Sequence, residues 1–236
     1  MTQSELAHLD VEGRSIAYRL RRGNVPTILF LPGYASDMEG AKALALDRFA
    51  QEHGLAMLRL DYSGTGSSGG KFEDGTLELW REEVLAAVDG LTEGPLILVG
   101  SSMGGWLALH VALARPERVG ALVGIAAAPD FTNWGFADVE DAVGRGLAAT
   151  FWESGQRMLL LDTDIAIACP VRLLHGENDP DVPLEVAFRT MRAVRSGDVQ
   201  LNVLKGGGHR LSEPHEIEAI LRTVAGLIEH SPEPAS

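Results

Sequence analysis

Short, unbroken apolar runs recur along the chain, separated by longer segments of helical pattern. Ser15 to Leu20 alternates polar and apolar positions, which predicts an outer strand with one face in water. Thr27 to Leu31 is continuously apolar and predicts a central strand covered on both faces. Further strands are expected over Ala56–Tyr62, Pro95–Gly100, Val119–Ala127, Val171–His175 and Val199–Leu204. Helices are expected over Glu39–His53, Thr76–Leu91, Met103–Ala114, Pro183–Arg195 and Pro214–Glu229, the third stopping before Pro116. This alternation predicts an α/β architecture, a mostly parallel sheet with helices on both faces. It pauses over Asp130–Ala168, a helical stretch rich in Trp, Phe and Leu. We expect a short cap there, inserted at about 130–168 into a single domain spanning residues 1–236. No repeat or low-complexity run stands out, and Ser231–Ser236 is expected to fray.

Composition narrows the class. A chain of 236 residues can bury a full core, and 22% charged with 45% hydrophobic residues is ordinary for a globular protein. No apolar stretch is long enough to span a bilayer, and residues 1–10 lack the basic start and apolar run of a signal peptide. The formal charge of −13 offers no basic footprint for nucleic acid. The only cysteine, Cys169, excludes an intrachain disulfide and fits a reducing compartment, so a cytoplasmic location is expected.

Candidate chemistry begins at Gly100-Ser101-Ser102-Met103-Gly104. This G-x-S-x-G motif follows an apolar strand and opens a helix, the setting a nucleophile elbow requires. Glycines two residues to either side select Ser102 over Ser101, which is the better candidate for a simple helix cap. A serine hydroxyl needs an oriented base. His209, in Gly206-Gly207-Gly208-His209 after the last expected strand, is the best-placed histidine; His175, at a strand end, is expected to bond structurally. Three carboxylates compete for the acid after the penultimate strand: Glu177, Asp179 and Asp181. Position before Val182-Pro183 favours Asp179, with Asp181 in reserve. Backbone N–H groups of Met103 and Tyr34, the latter in the loop Pro32-Gly33-Tyr34, are expected to form an oxyanion hole. The loop Ser63–Gly66 lacks the ending of a phosphate-binding loop.

Several blocks carry a resemblance: Leu31-Pro32-Gly33-Tyr34, Lys42-Ala43-Leu44-Ala45, Asp61-Tyr62-Ser63-Gly64 with Gly66-Ser67-Ser68, Val99 to Trp106, Ala114-Arg115-Pro116-Glu117, and Cys169 to Gly176. From about Thr27 to Leu227 the chain resembles α/β-hydrolase fold serine hydrolases, in the subgroup of the mitochondrial palmitoyl-protein thioesterase and acyl-glucuronide esterase with its bacterial relatives. The resemblance implies hydrolysis of carboxylic esters or acyl thioesters through an acyl-enzyme, with Ser102, Asp179 and His209 as triad and with no metal or organic cofactor. The partner it implies is a small acyl ester or thioester, or an S-acylated protein. A lactonase or C–C bond hydrolase would use the same triad, and a ligand receptor could keep the fold without catalysis. Trp134, Phe136, Trp152 and Met158 in the cap are the candidates for substrate contact.

Overall fold

The computed structural model describes residues 4–229. The chain runs β1 (Leu6–Val11), β2 (Arg14–Arg21), β3 (Asn24–Leu31), α1 (Ala41–Glu52), β4 (Leu55–Leu60), α2 (Leu77–Leu91), β5 (Leu96–Ser101), α3 (Met103–Ala114), β6 (Val119–Ile125), α4 (Phe131–Trp134), α5 (Val139–Gly144), α6 (Ala149–Gln156), β7 (Val171–Gly176), α7 (Leu184–Ala193), β8 (Val199–Leu204) and α8 (Pro214–Glu229). The strands form one eight-stranded sheet in the order β1-β2-β4-β3-β5-β6-β7-β8. Only the β1–β2 and β2–β4 pairings are antiparallel.

The first strand was not expected from the sequence. Its faces alternate between exposed and half-buried, so its apolar signal is thin. Glu12 and Gly13, both at positive φ (52° and 82°), turn it into β2. Two strands end sooner than expected. β4 stops at Leu60 because the Asp61 carboxylate accepts the N–H groups of Met38 and Ser67 and folds the following loop back. β6 stops at Ile125 because Ala126 takes a φ of 45°.

The continuous apolar runs behave as their pattern requires. β4 and β5 are buried throughout, and β3 is buried from Pro26 onward. One apolar layer joins the sheet to α2, α3 and α7, and a second joins its other face to α1 and α8. Parallel strands covered in this way open their C-terminal ends into a shared crevice, where ligands of open α/β sheets bind. The loops after β3, β5, β7 and β8 all leave from that edge.

Helices α4 to α6 occupy the segment between β6 and β7 where a cap was expected, and two carboxylates tie it down. Buried Asp130, at its entry, accepts the N–H groups of Leu160 and Leu161 at its exit. Glu78 on α2 accepts a hydrogen bond from Ser154 Oγ and a bidentate one from Arg157. Among the described residues no helix is long and apolar enough to cross a membrane.

Candidate active site

Ser102 sits between β5 and α3 with φ 54° and ψ −120°, a backbone region costly for any residue with a β-carbon. The surrounding structure holds it there. Its N–H donates to Ile125 O, and its carbonyl accepts from Gly105 and Ala128. The flanking glycines are required by space. A Cβ on Gly100 would lie 2.3 Å from Gly104 O, and one on Gly104 would lie 2.1 Å from Leu31 O. Both obstacles are backbone, so no rotamer relieves them. Gly104→Ala is expected to cost about 3 kcal/mol or more through forced backbone movement, read as a lowered denaturation midpoint. An unchanged midpoint would contradict this account of the elbow.

The base and the acid arrive on two loops that lie against each other. Glu177 N–H donates to Leu204 O, Asn178 N–H to Gly207 O, and Gly206 N–H to the Glu177 carboxylate. A Cβ on Gly176 would stand 2.4 Å from Gly207 O, so the close approach needs glycine there. Glu177 is thereby used as a loop tie. The side chain that reaches the histidine is Asp179.

Asp179 and His209 lie in line with Ser102. His209 Nδ1 is 2.9 Å from Asp179 Oδ2, and His209 Nε2 is 3.1 Å from Ser102 Oγ. A carboxylate only accepts, so Nδ1 carries the hydrogen and Nε2 is left to accept from the serine hydroxyl. Asp179 Oδ1 accepts two further bonds, from the N–H groups of Asp181 and Val182, each at 2.9 Å. Burial pushes the Asp179 carboxyl up. The hydrogen bond to His209 and the two backbone N–H donors outweigh it and hold the carboxyl below its ordinary value. It is therefore ionised at neutral pH.

Two candidate backbone donors flank Ser102, one next to it in the chain and one beside it in space. Met103 is the first residue of α3, so its N–H has no partner within the helix. Tyr34 follows Gly33, whose added Cβ would lie 3.3 Å from Ser102 Cβ, so that loop runs directly past the serine. Neither N–H donates to a backbone acceptor among the described residues. The Tyr34 ring is wedged among Phe72, Trp80, Phe131 and Phe151, with centroids 5.0 to 6.3 Å away. Phe72 and Trp80 were not singled out in the sequence, since only tertiary packing brings them here.

The four cap residues separate into two kinds. Trp134, Phe136 and Trp152 are half-buried on the cap. Trp134 Nε1 donates to Pro129 O, and Phe136 lies beneath the Arg145 guanidinium at 4.5 Å. Met158 is buried, and its carbonyl accepts from Trp106 Nε1 and His110 Nε2. It anchors the cap to α3 rather than standing open beside Ser102.

Asp179, Asp181 and His209 each offer one ligand atom within 4.8 Å of the others. Two of those three already bond to each other, and Asp179 Oδ1 holds two N–H groups, so a cation there would have to break the chain to Ser102. Lys42 on α1 was noted only as part of a sequence block. It donates to the carbonyl of Arg210, next to His209, and so ties the histidine loop to the helix that follows the Tyr34 loop.

Comparison with known proteins agrees with this architecture. A family model described as the alpha/beta hydrolase fold matches residues 26–148. The mitochondrial palmitoyl-protein thioesterase ABHD10 of Homo sapiens is 40% identical over 235 residues, covering 91% of this chain and 77% of the human protein. Among solved structures, alpha/beta hydrolase domain-containing protein 10 from mouse superposes with a TM-score of 0.89 at 36% identity, covering 96% of this chain and 99% of its own. A hydrolase from Agrobacterium vitis S4 superposes with a TM-score of 0.88 at 34% identity, covering 96% and 98%.

Proposed function

This chain belongs to the α/β-hydrolase fold family, and from that premise we propose that it is a serine acyl hydrolase cleaving carboxylic esters or acyl thioesters through an acyl-enzyme. The observation that carries the proposal is the continuous hydrogen-bonded chain Ser102 Oγ, His209 Nε2, His209 Nδ1, Asp179 Oδ2. Ser102 attacks the acyl carbon while His209 Nε2 takes its proton. Ionised Asp179 fixes the imidazole tautomer and stabilises the imidazolium that forms. The N–H groups of Tyr34 and Met103 meet the charge developing on the carbonyl oxygen, a contribution typically worth about 3 kcal/mol per donor. His209 returns the proton to the leaving alcohol or thiol. Water then enters by the same route and releases the acid.

The thioesterase names of the relatives support acyl thioesters, including S-acylated proteins, among the substrates. The aromatic rings around Tyr34, of which Phe72 and Phe131 are half-buried, support an apolar acyl group. The single cysteine supports a reducing compartment, and we place the protein in the cytoplasm on that ground.

The test is a series of matched esters and thioesters of increasing acyl length, with Ser102→Ala as the blank. Ser102-dependent turnover is expected with both leaving groups. Rates rising towards long acyl thioesters would identify a depalmitoylating role, and rates confined to short esters a small-molecule carboxylesterase. Absence of Ser102-dependent turnover throughout the series would overturn the proposal and direct attention to lactones or C–C bonds.

A further inference from the structure

We propose that His175, the last side chain of β7 before Gly176, is a positioning residue for Asp179. This rests on Asp179 serving as the triad acid, as proposed above. His175 is buried, and its Nε2 lies 2.9 Å from the carbonyl oxygen of Val182. A carbonyl only accepts, so Nε2 carries the hydrogen. The same nitrogen lies 3.5 Å from Asp179 Oδ2, the oxygen that accepts from His209.

These contacts brace the carboxylate from two sides. Val182 is held at both ends, its N–H on Asp179 Oδ1 and its carbonyl on His175. His175 Nε2 itself stands 3.5 Å from Oδ2, close enough to act on it electrostatically without a direct hydrogen bond. Val182 O already satisfies the Nε2–H donor of His175. The second approach, to the carboxylate oxygen that orients the base, is what a packing role leaves unexplained. Deleting the donor frees the Val182 carbonyl, loosens the turn that holds Oδ1, and removes a partial positive charge from beside Oδ2. The carboxylate can then rotate, and His209 loses its fixed angle towards Ser102.

Two substitutions of similar length separate these roles. His175→Gln keeps an N–H donor near the position of Nε2. His175→Met fills similar space without one. Ser102 reactivity is followed with a serine-directed fluorophosphonate, which needs no knowledge of the substrate, and is normalised to folded protein by circular dichroism. We expect His175→Met to label about 10- to 100-fold more slowly, the usual scale for losing a group that orients a reactive ligand, and His175→Gln to recover most of that loss. With any cleaved ester, kcat should fall in His175→Met at unchanged KM. The downfield proton resonance of His209 Nδ1 should broaden in His175→Met and persist in His175→Gln. Should His175→Met not fold, His175→Asn, whose donor is one bond too short to reach Oδ2, takes its place with the same expectation. Equal labelling by wild type and the donor-free variant overturns the proposal. So does equal slowing in both variants, which would mean packing alone. A wild type that does not label overturns the triad itself, a different result from labelling that ignores position 175.

Discussion

Ser102→Ala is expected to lower kcat by about 10⁵- to 10⁶-fold, the scale seen when a serine nucleophile is removed from an oriented triad, with no loss of stability. The two halves of this expectation have separate grounds. The Ser102 side chain has one hydrogen-bond partner among the described residues, His209 Nε2, so removing Oγ orphans no buried group. The elbow is held by the backbone bonds of Ser102 to Ile125, Gly105 and Ala128, which alanine keeps. Its φ of 54° is as strained for alanine as for serine, so the strain cancels. Turnover fails because Nε2 then has no hydroxyl to deprotonate. Fluorophosphonate labelling should vanish while the thermal midpoint stays at the wild-type value. Retained labelling would show another nucleophile, and a collapsed midpoint would show that the serine is part of the fold's support.

The parts of this architecture that local pattern encodes were legible in the sequence. β3 and β5 appear as unbroken apolar runs because both their faces are covered, and the elbow appears because its glycines are a local steric necessity. β1 was invisible because a strand with one neighbour and little burial needs few apolar residues. The break in the alternation between β6 and β7 was legible, but the distinction between Met158 and the half-buried rings was not. It depends on Trp106 and His110 reaching Met158 across about fifty residues of chain. Lys42 escaped for the same reason, since a partner remote in sequence leaves no local signature. The choice among Glu177, Asp179 and Asp181 rested on position in the sequence and on the family resemblance, not on any contact. The structure separates them by what each carboxylate holds: Glu177 holds Gly206 N–H, Asp179 holds His209, and Asp181 is exposed.

That separation sets the second large effect. Asp179→Asn is expected to reduce kcat by about 10⁴-fold, as when a triad aspartate is made neutral without changing its shape, whereas Asp181→Asn should stay near wild type. Asp179 Oδ1 accepts two backbone N–H groups, so an asparagine will keep its carbonyl oxygen there and turn its NH₂ towards His209 Nδ1. Donor then faces donor. His209 escapes by moving its hydrogen to Nε2, where it points at Ser102 and cannot accept the serine's proton. The reserve candidate lacks this leverage, since exposed Asp181 reaches the site through its backbone N–H, which asparagine retains. Stability against pH supplies an independent check. The Asp179 carboxyl is held below its ordinary value, so its ionised form stabilises the native state above the unfolded-state value, and that stabilisation is lost as pH falls through the native value. Asp179→Asn should therefore lower the denaturant midpoint at neutral pH and narrow its gap to wild type on acidification. A gap that is constant with pH, or a comparable loss of kcat in Asp181→Asn, would mean that the acid has been assigned to the wrong carboxylate.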